Sequence, residues 1–472
     1  MKSPSFSRLL AVAILVWSCR PPTAPAQATG PVAFVDVNVV PMDRETILTG
    51  QTVLVLDGVI SAIGPAGSVM LPDDVTSIDG SGQYLMPGLA DLHVHAENEL
   101  DLPVYLLGGV TTVLDLGGRS RLLGWRDRLE AGDLAGPHLL VSYFIDGPGG
   151  RFNVVETPQQ ARQAIRAAAG RYDYIKVYNS LTSAQFDAIM DEAEVAGIAV
   201  VGHGVRSPGM QAILEAGQVM IVHGEEYIYT YFGNTTDRAL IPGAVDLTKR
   251  TGAYVLPNLS AFEIMAVQWG RPSAVDSFLS QPEVRYLHPS YRQSWRSGRY
   301  TTRNGSLRPR LVFLQELTRA FANANVPLLL GTDSPGIPGM FPGASIHNDL
   351  RLMVDAGLTP YQALSAGTRT AGAFVRQTIP GSPVFGVITE GARADLVLLE
   401  DNPLESVTAA RNPNGVMVGG DWWSAEALRE MLDGLYGSGG SSMIGLWAMG
   451  YELWAIGLGS ERKSSPPIAH SP

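Results

Sequence analysis

Apolar and polar residues alternate with a period of two near the start of the chain. Phe34–Val40, Thr52–Leu56, Ile60–Ile63 and Thr76–Ile78 therefore predict short strands. Asp57-Gly58, set between two apolar runs, predicts a tight hairpin. From Leu85 onward the pattern changes to strands separated by helical stretches. The expected strands are Ala90–His95, Thr111–Leu116, His138–Tyr143, Tyr174–Tyr178, Ala199–His203, Gln218–His223, Ala253–Pro257 and Pro327–Gly331. Several intervening helices carry clear start and stop signals. Thr157-Pro158 offers a cap and a first-turn proline. Thr182 and Gln185 form a capping box, Phe186, Ile189, Met190 and Ala193 share one face, and Gly197 ends the helix. Eight strand–helix units predict an α/β fold, a (β/α)8 TIM-like barrel over residues 86–384, with a doubly wound open sheet as its rival. Strand character returns at Gly386–Ile388, Ala394–Leu399 and Gly415–Val418. Strands on both sides of a barrel imply a small β-sandwich assembled from both termini, residues 29–85 and 385–425.

The two ends of the chain read differently. Lys2 and Arg8 precede the apolar run Leu9–Trp17, and Ala26-Gln27-Ala28 supplies a small-x-small cleavage site. This predicts a signal peptide, residues 1–28, cleaved after about Ala28, and so a periplasmic or secreted protein. Lipidation at Cys19 is the alternative; Trp17 just before Ser18-Cys19 fits it poorly. Cys19 is the single cysteine, so a cleaved protein has no disulfide and no thiolate ligand, and any metal must be held by histidine, carboxylate or something rarer. Residues 426–472 form a C-terminal tail. Its apolar stretch Met443–Leu458 contains Glu452 and falls short of the ~20 residues a membrane helix needs. A helix packed on the barrel or on a neighbouring subunit is expected there, which leaves a homo-oligomer open. The 472 residues suit a large barrel with a small companion, 45% hydrophobic content supports a sizeable core, and a net charge of −11 with no basic stripe excludes a nucleic-acid partner.

The chemistry lies at strand ends. His93 and His95 close the first expected barrel strand, and residues two apart in a strand point to the same side, so both imidazoles can reach one metal. Lys176 sits inside the apolar strand Tyr174–Tyr178, where a lysine is costly unless paired or neutralised. His203 ends the fifth strand, His223 the sixth and Asp333 the eighth. All of these positions fall at the C-terminal ends of strands, the face where barrel active sites form.

These residues resemble the amidohydrolase superfamily. Pro87-Gly88-Leu89-Ala90-Asp91-Leu92-His93-Val94-His95 is similar to its opening motif, and Lys176, His203, His223 and Asp333 match its remaining ligands in chain order. Gly391-Ala392-Arg393-Ala394-Asp395-Leu396-Val397 resembles the family's returning strand. The likeness runs from Phe34 to about Trp423 and points to the binuclear branch that includes Xaa-Pro dipeptidases and imidazolonepropionase-related proteins. The resemblance implies two divalent metal ions, zinc being the expected pair, and a CO2-derived carbamate on Lys176. One ion would take His93, His95, the carbamate and Asp333; the other would take the carbamate, His203 and His223. Cleavage of an amide bond by metal-activated hydroxide follows, with Asp333 accepting the water proton.

Substrate clues are sparser. The insertion Ser260–Gly305 follows the seventh strand. It carries Trp269, Phe278, Tyr286, Tyr291, Trp295 and Tyr300, with six arginines from Arg271 to Arg303. As a lid, it would close over a small aromatic or apolar substrate while an arginine, Arg296 foremost, pairs with a substrate carboxylate. Tyr227, Tyr229 and Tyr231 alternate after the sixth strand, and Tyr231 is the preferred substrate contact. Glu225 and Glu226 either orient ligands or cap a solvated strand end. His138, His288 and His347 are expected to be structural. The loop Asp146–Arg151 lacks the histidine expected of the dipeptidase branch, so an N-acyl amino acid or aryl-amide fits as well as a dipeptide. The rival functions are a mononuclear deaminase or cyclic-amide hydrolase, a lactonase of the same fold, and a non-catalytic binding protein. Arg206 stands where the deaminase reading expects a glutamate.

Overall fold

The computed structural model describes residues 28–298 and 300–437. The signal segment, Cys19 and Met443–Leu458 lie outside the described residues. Seven parallel strands follow one another in spatial order: Leu89–Val94, Val110–Asp115, His138–Ile145, Tyr174–Val177, Ala199–Gly202, Met220–Val222 and Tyr254–Leu256. The expected eighth strand, Pro327–Gly331, does not form a continuous ladder. Its segment closes the ring through single bridges instead, Val255 to Leu328 on one side and Val94 to Ser334 on the other. Backbone bonds span both seams: Leu329 N donates to Val255 O, and Leu92 N donates to Leu330 O. Each neighbour thus satisfies the polar backbone of this segment, as a buried position requires. The barrel reading holds, and the open-sheet rival does not.

Strands from both ends of the chain join in one further sheet of eight. Val32–Val39 is flanked by Leu48–Leu56 on one side and by Thr76–Asp79 and Tyr84–Pro87 on the other; Tyr84–Pro87 pairs antiparallel with Leu396–Leu399. Val59–Pro65, paired antiparallel with Leu48–Leu56, and Gly415–Val418 and Asp421–Ser424 complete it. Strands from both ends of the chain thus lie in one sheet, where a β-sandwich was expected. The expected strand Gly386–Ile388 is instead a bend, because Gly386 takes a φ of +77° against the Thr368 carbonyl. Asp57 and Gly58 both have positive φ, and Leu56 pairs with Val59, which is the predicted two-residue hairpin. Phe34 meets Trp422 edge-on at 5.2 Å, so residues far apart in sequence share one core.

The helices obey their sequence signals. Thr182 caps Ser183–Ala196 in a full capping box, and Gly197 ends it in the left-handed region. Thr157 accepts from Gln160 N at the start of Pro158–Ala168. Past the last strand, Ser424 caps the helix Ala425–Tyr436. No described helix is long and apolar enough to cross a membrane.

Candidate active site at the barrel mouth

Strand periodicity delivers the chemical groups. Tyr174 and Lys176 share a face, as do Val201 and His203. Tyr174 and Val201 belong to an apolar cluster with Leu114, Met220 and Leu256, and Lys176 and His203 continue the same faces toward the C-terminal ends. Gly202, just before His203, is held at φ +133°, and a Cβ there would meet the Val177 carbonyl oxygen at 2.3 Å. His223 and Asp333 both leave their strands with positive φ, 70° and 65°. Positive φ is uncommon outside glycine, and such backbone clusters at functional sites.

Three donor groups converge. His93 and His95 face each other with their Nε2 atoms 3.1 Å apart, and Asp333 Oδ1 lies 2.8 Å from His95 Nε2 and 3.4 Å from His93 Nε2. The rings of His93 and His223 are 4.7 Å apart, as are those of His203 and His223. Burial drives the His93 imidazole well below its usual pKa, which makes it a neutral lone-pair donor. Two imidazole nitrogens and a carboxylate oxygen turned toward one another suit a divalent cation such as zinc. Lys176 is 1% exposed; burial brings its amine down to about 8, with Asp333, Asp115 and Glu226 pulling the other way. Its Nζ lies over the rings of Phe144 and Tyr178. The structure therefore gathers His93, His95, His203, His223 and Asp333 at one rim, with Lys176 on a strand that faces them.

Several supporting groups escaped sequence reasoning. Asp91 accepts from Thr332 Oγ1 at 2.6 Å and Thr332 N at 2.9 Å, tying the first strand to the segment that carries Asp333. Burial raises its carboxyl to about 7. Asp115 accepts from Ala96 N and Gly117 N at 2.7 Å each, so it fixes the backbone on the far side of His95. Both carried a legible signal: an acid in an apolar strand, with Asp115 at the strand's end. Tyr178 lays its ring 4.1 Å from that of His203. Glu226, weighed from the sequence as a ligand-orienting residue, is buried, with Oε1 3.9 Å from His203 Nε2, and burial raises its carboxyl to about 8.

A pocket opens beside His95 and Lys176. Its further lining is Glu97, Gly117, Arg119, Phe144, Arg151, Phe152, Tyr178 and Gly336. Tyr231 and Arg296 are not among these residues. The tyrosine run folds as the helix Glu225–Thr230, so Tyr227 bonds Thr248, Tyr229 lies against Arg206 and Arg310, and Tyr231 packs on Phe232. A helix sends every second residue to nearly opposite faces, whereas a strand would align them. Arg296 is exposed and bonds the Arg292 carbonyl oxygen of its own helix. His138 pairs with Asp395, His288 caps a helix and His347 bonds the Gly108 carbonyl oxygen, so all three are structural as expected.

A parallel barrel whose C-terminal rim gathers imidazoles, a carboxylate and a buried lysine defines the class of barrels with a candidate metal centre at the mouth. Residues 84–423 match the amidohydrolase family, and the chain belongs to that family. Ochratoxinase of Aspergillus niger aligns over 94 residues at 35% identity, covering 20% of this chain and 18% of that enzyme, so the match spans under a fifth of the relative's length. Two solved structures share the fold. Bottromycin amidohydrolase has a TM-score of 0.68 and 23% identity, over 86% of this chain and 90% of that one. A Xaa-Pro dipeptidase with bound methionine has a TM-score of 0.63 and 20% identity, over 84% and 100%.

Proposed function

We propose that the protein is an exported binuclear hydrolase that cuts the amide bond of a small carboxylate-bearing substrate: a dipeptide, an N-acyl amino acid or an aryl-amide. The observation that carries this reading is the convergence of His93, His95 and Asp333 within 4.8 Å of one another, with the His203 and His223 rings alongside. His93, His95 and Asp333 would hold one cation, and His203 and His223 the other. Lys176 would join them as a carbamate: the neutral Nζ bonds the carbon of CO2, a proton leaves the nitrogen, and two oxygens face the site. When bound, a pair of divalent cations would lower the pKa of water and polarise the substrate carbonyl.

Asp333 would take the proton of the attacking water and deliver it to the leaving nitrogen. Phe144, Phe152 and Tyr178 favour an apolar or aromatic group. Of the two pocket arginines, Arg119 is ion-paired with Glu97, which leaves Arg151 as the better partner for a substrate carboxylate. Export rests on the N-terminal apolar run and its cleavage site; an intact amino terminus on protein recovered from the producing cells would exclude it.

The reading is tested by metal analysis together with turnover of dipeptides, N-acyl amino acids and lactones. About two metals per chain, loss of amide cleavage on chelation, and a folded but inactive Asp333→Asn variant are expected. One metal per chain with release of ammonia would favour the deaminase instead.

A further inference from the structure

The insertion after the seventh strand contains the helices Leu259–Gln268, Ser273–Phe278 and Pro289–Trp295. It builds a small core of its own, in which Phe278, Leu287, Tyr291 and Trp295 pack with Phe341. Two polar atoms of that core reach the segments that leave the site. Tyr291 Oη accepts from Glu97 N at 2.9 Å and donates to Asp101 Oδ2 at 2.8 Å. Trp295 Nε1 donates to the Pro335 carbonyl oxygen at 3.2 Å. Glu97 lies two residues beyond His95, and Pro335 lies two beyond Asp333.

The anchors at the other end are firm. Asp101 is fully buried, and its Oδ2 also accepts from Asn98 N at 3.1 Å and Glu97 N at 3.2 Å. The two held segments are tied to each other as well, because His95 N donates to Ser334 O at 2.8 Å. The arginines nearby are engaged inside the insertion: Arg292 bonds the carbonyls of Leu287 and Val284, and Arg296 bonds that of Arg292. Neither lines the pocket.

The geometry points to the insertion as a clamp: Tyr291 and Trp295 are positioning residues that fix the chain beyond His95 and Asp333 from behind. This rests on His95 and Asp333 being metal ligands, as proposed above. Loops that follow barrel strands are otherwise mobile, and a shift of about 1 Å in a reacting group can cost on the order of a hundredfold in rate. One helix gripping both segments holds the His95–Asp333 pair against such drift.

Tyr291→Phe keeps the ring in its core and removes the hydroxyl that bonds both Glu97 N and Asp101, leaving only the longer direct bond from Glu97 N to Asp101; Trp295→Phe removes the insertion's bond to Pro335. The full-length protein loaded with zinc is assayed for zinc release to a chelator, for thermal midpoint, and for kcat and KM on its best amide substrate. For Tyr291→Phe, zinc release about tenfold faster, kcat about tenfold lower, KM within twofold and a midpoint within a few degrees are expected. Unchanged zinc release and kcat would overturn the clamp and leave only packing. A raised KM with unchanged kcat and zinc release would make the insertion a substrate lid and overturn it too. Should Trp295→Phe unfold, Tyr291→Phe decides. Should no amide be cut, zinc release decides by itself, so failure of the functional reading is told apart from failure of the clamp. A wild-type chain that retains no divalent cation overturns both.

Discussion

Lys176 gives the sharpest quantitative expectation. An ordinary lysine titrates near 10.4, so at pH 8 only about one amine in 250 is neutral. Burial brings the Lys176 amine down to about 8, so about half is neutral at the same pH. The population able to add CO2 rises on the order of a hundredfold, equivalent to roughly 3 kcal/mol. Below pH 7 the neutral fraction falls about tenfold per unit, because each proton bound removes a lone pair. Metal-free protein incubated with 13C-labelled bicarbonate should therefore show a carbamate carbon signal that weakens as pH drops from 8 to 6, and Lys176→Ala should lack it. Loaded with metal, Lys176→Ala should hold about one cation where the wild type holds two, and lose on the order of a thousandfold in kcat/KM. Formate or acetate, each small enough for the vacated space and carrying two oxygens, should restore part of that loss. Lys176→Arg stays charged at every working pH and fills the space, so it should not be rescued. The reasoning fails if Lys176→Ala keeps two metals and activity within threefold of wild type.

Two further expectations concern stability. Asp395 sits where the composite sheet meets the barrel, 2.6 Å from Arg393 Nε and 3.1 Å from His138 Nε2, and Arg393 also reaches Thr112. Burial would raise the Asp395 carboxyl, but Arg393 and His138 overcome it and hold it well below the usual range. The partners are partly exposed, which sets the cost of Asp395→Asn at about 3 kcal/mol, the low end for breaking a buried pair. Urea unfolding should show this difference at pH 7 and lose it progressively as pH falls below the ordinary carboxylate pKa of about 4, since a depressed folded pKa stabilises fully above the unfolded pKa and less and less between it and the folded one; a loss under 1 kcal/mol at pH 7 would contradict it. His347 behaves differently, because burial lowers its imidazole to about 4 despite its bond to Gly108. Between pH 6.5 and 4 the unfolded chain binds a proton that the folded chain refuses. Stability should then fall by roughly 3 kcal/mol across that window, and His347→Asn should abolish this part of the pH slope.

The sequence by itself put His93, His95, His203 and His223 at or just beyond the C-terminal ends of barrel strands. Period-two alternation is a local property, and it put His93 beside His95 and sent Lys176 toward the mouth before any contact was known. It also determined the caps at Thr157 and Thr182 and the Asp57-Gly58 hairpin, where the geometry depends on a few adjacent residues. Tertiary structure decided what locality cannot carry. Tyr227, Tyr229 and Tyr231 fit either a strand or a helix, and packing on the barrel chose the helix that turns them apart. Arg119 and Arg151 rather than Arg296 reach the pocket because loops from separate strands converge there. The pairing of Tyr291 with Asp101 spans 190 positions, and no spacing along the chain announces it. The lowered pKa of Lys176 is likewise collective, since desolvation depends on how completely surrounding strands exclude water and not on which residues flank the lysine.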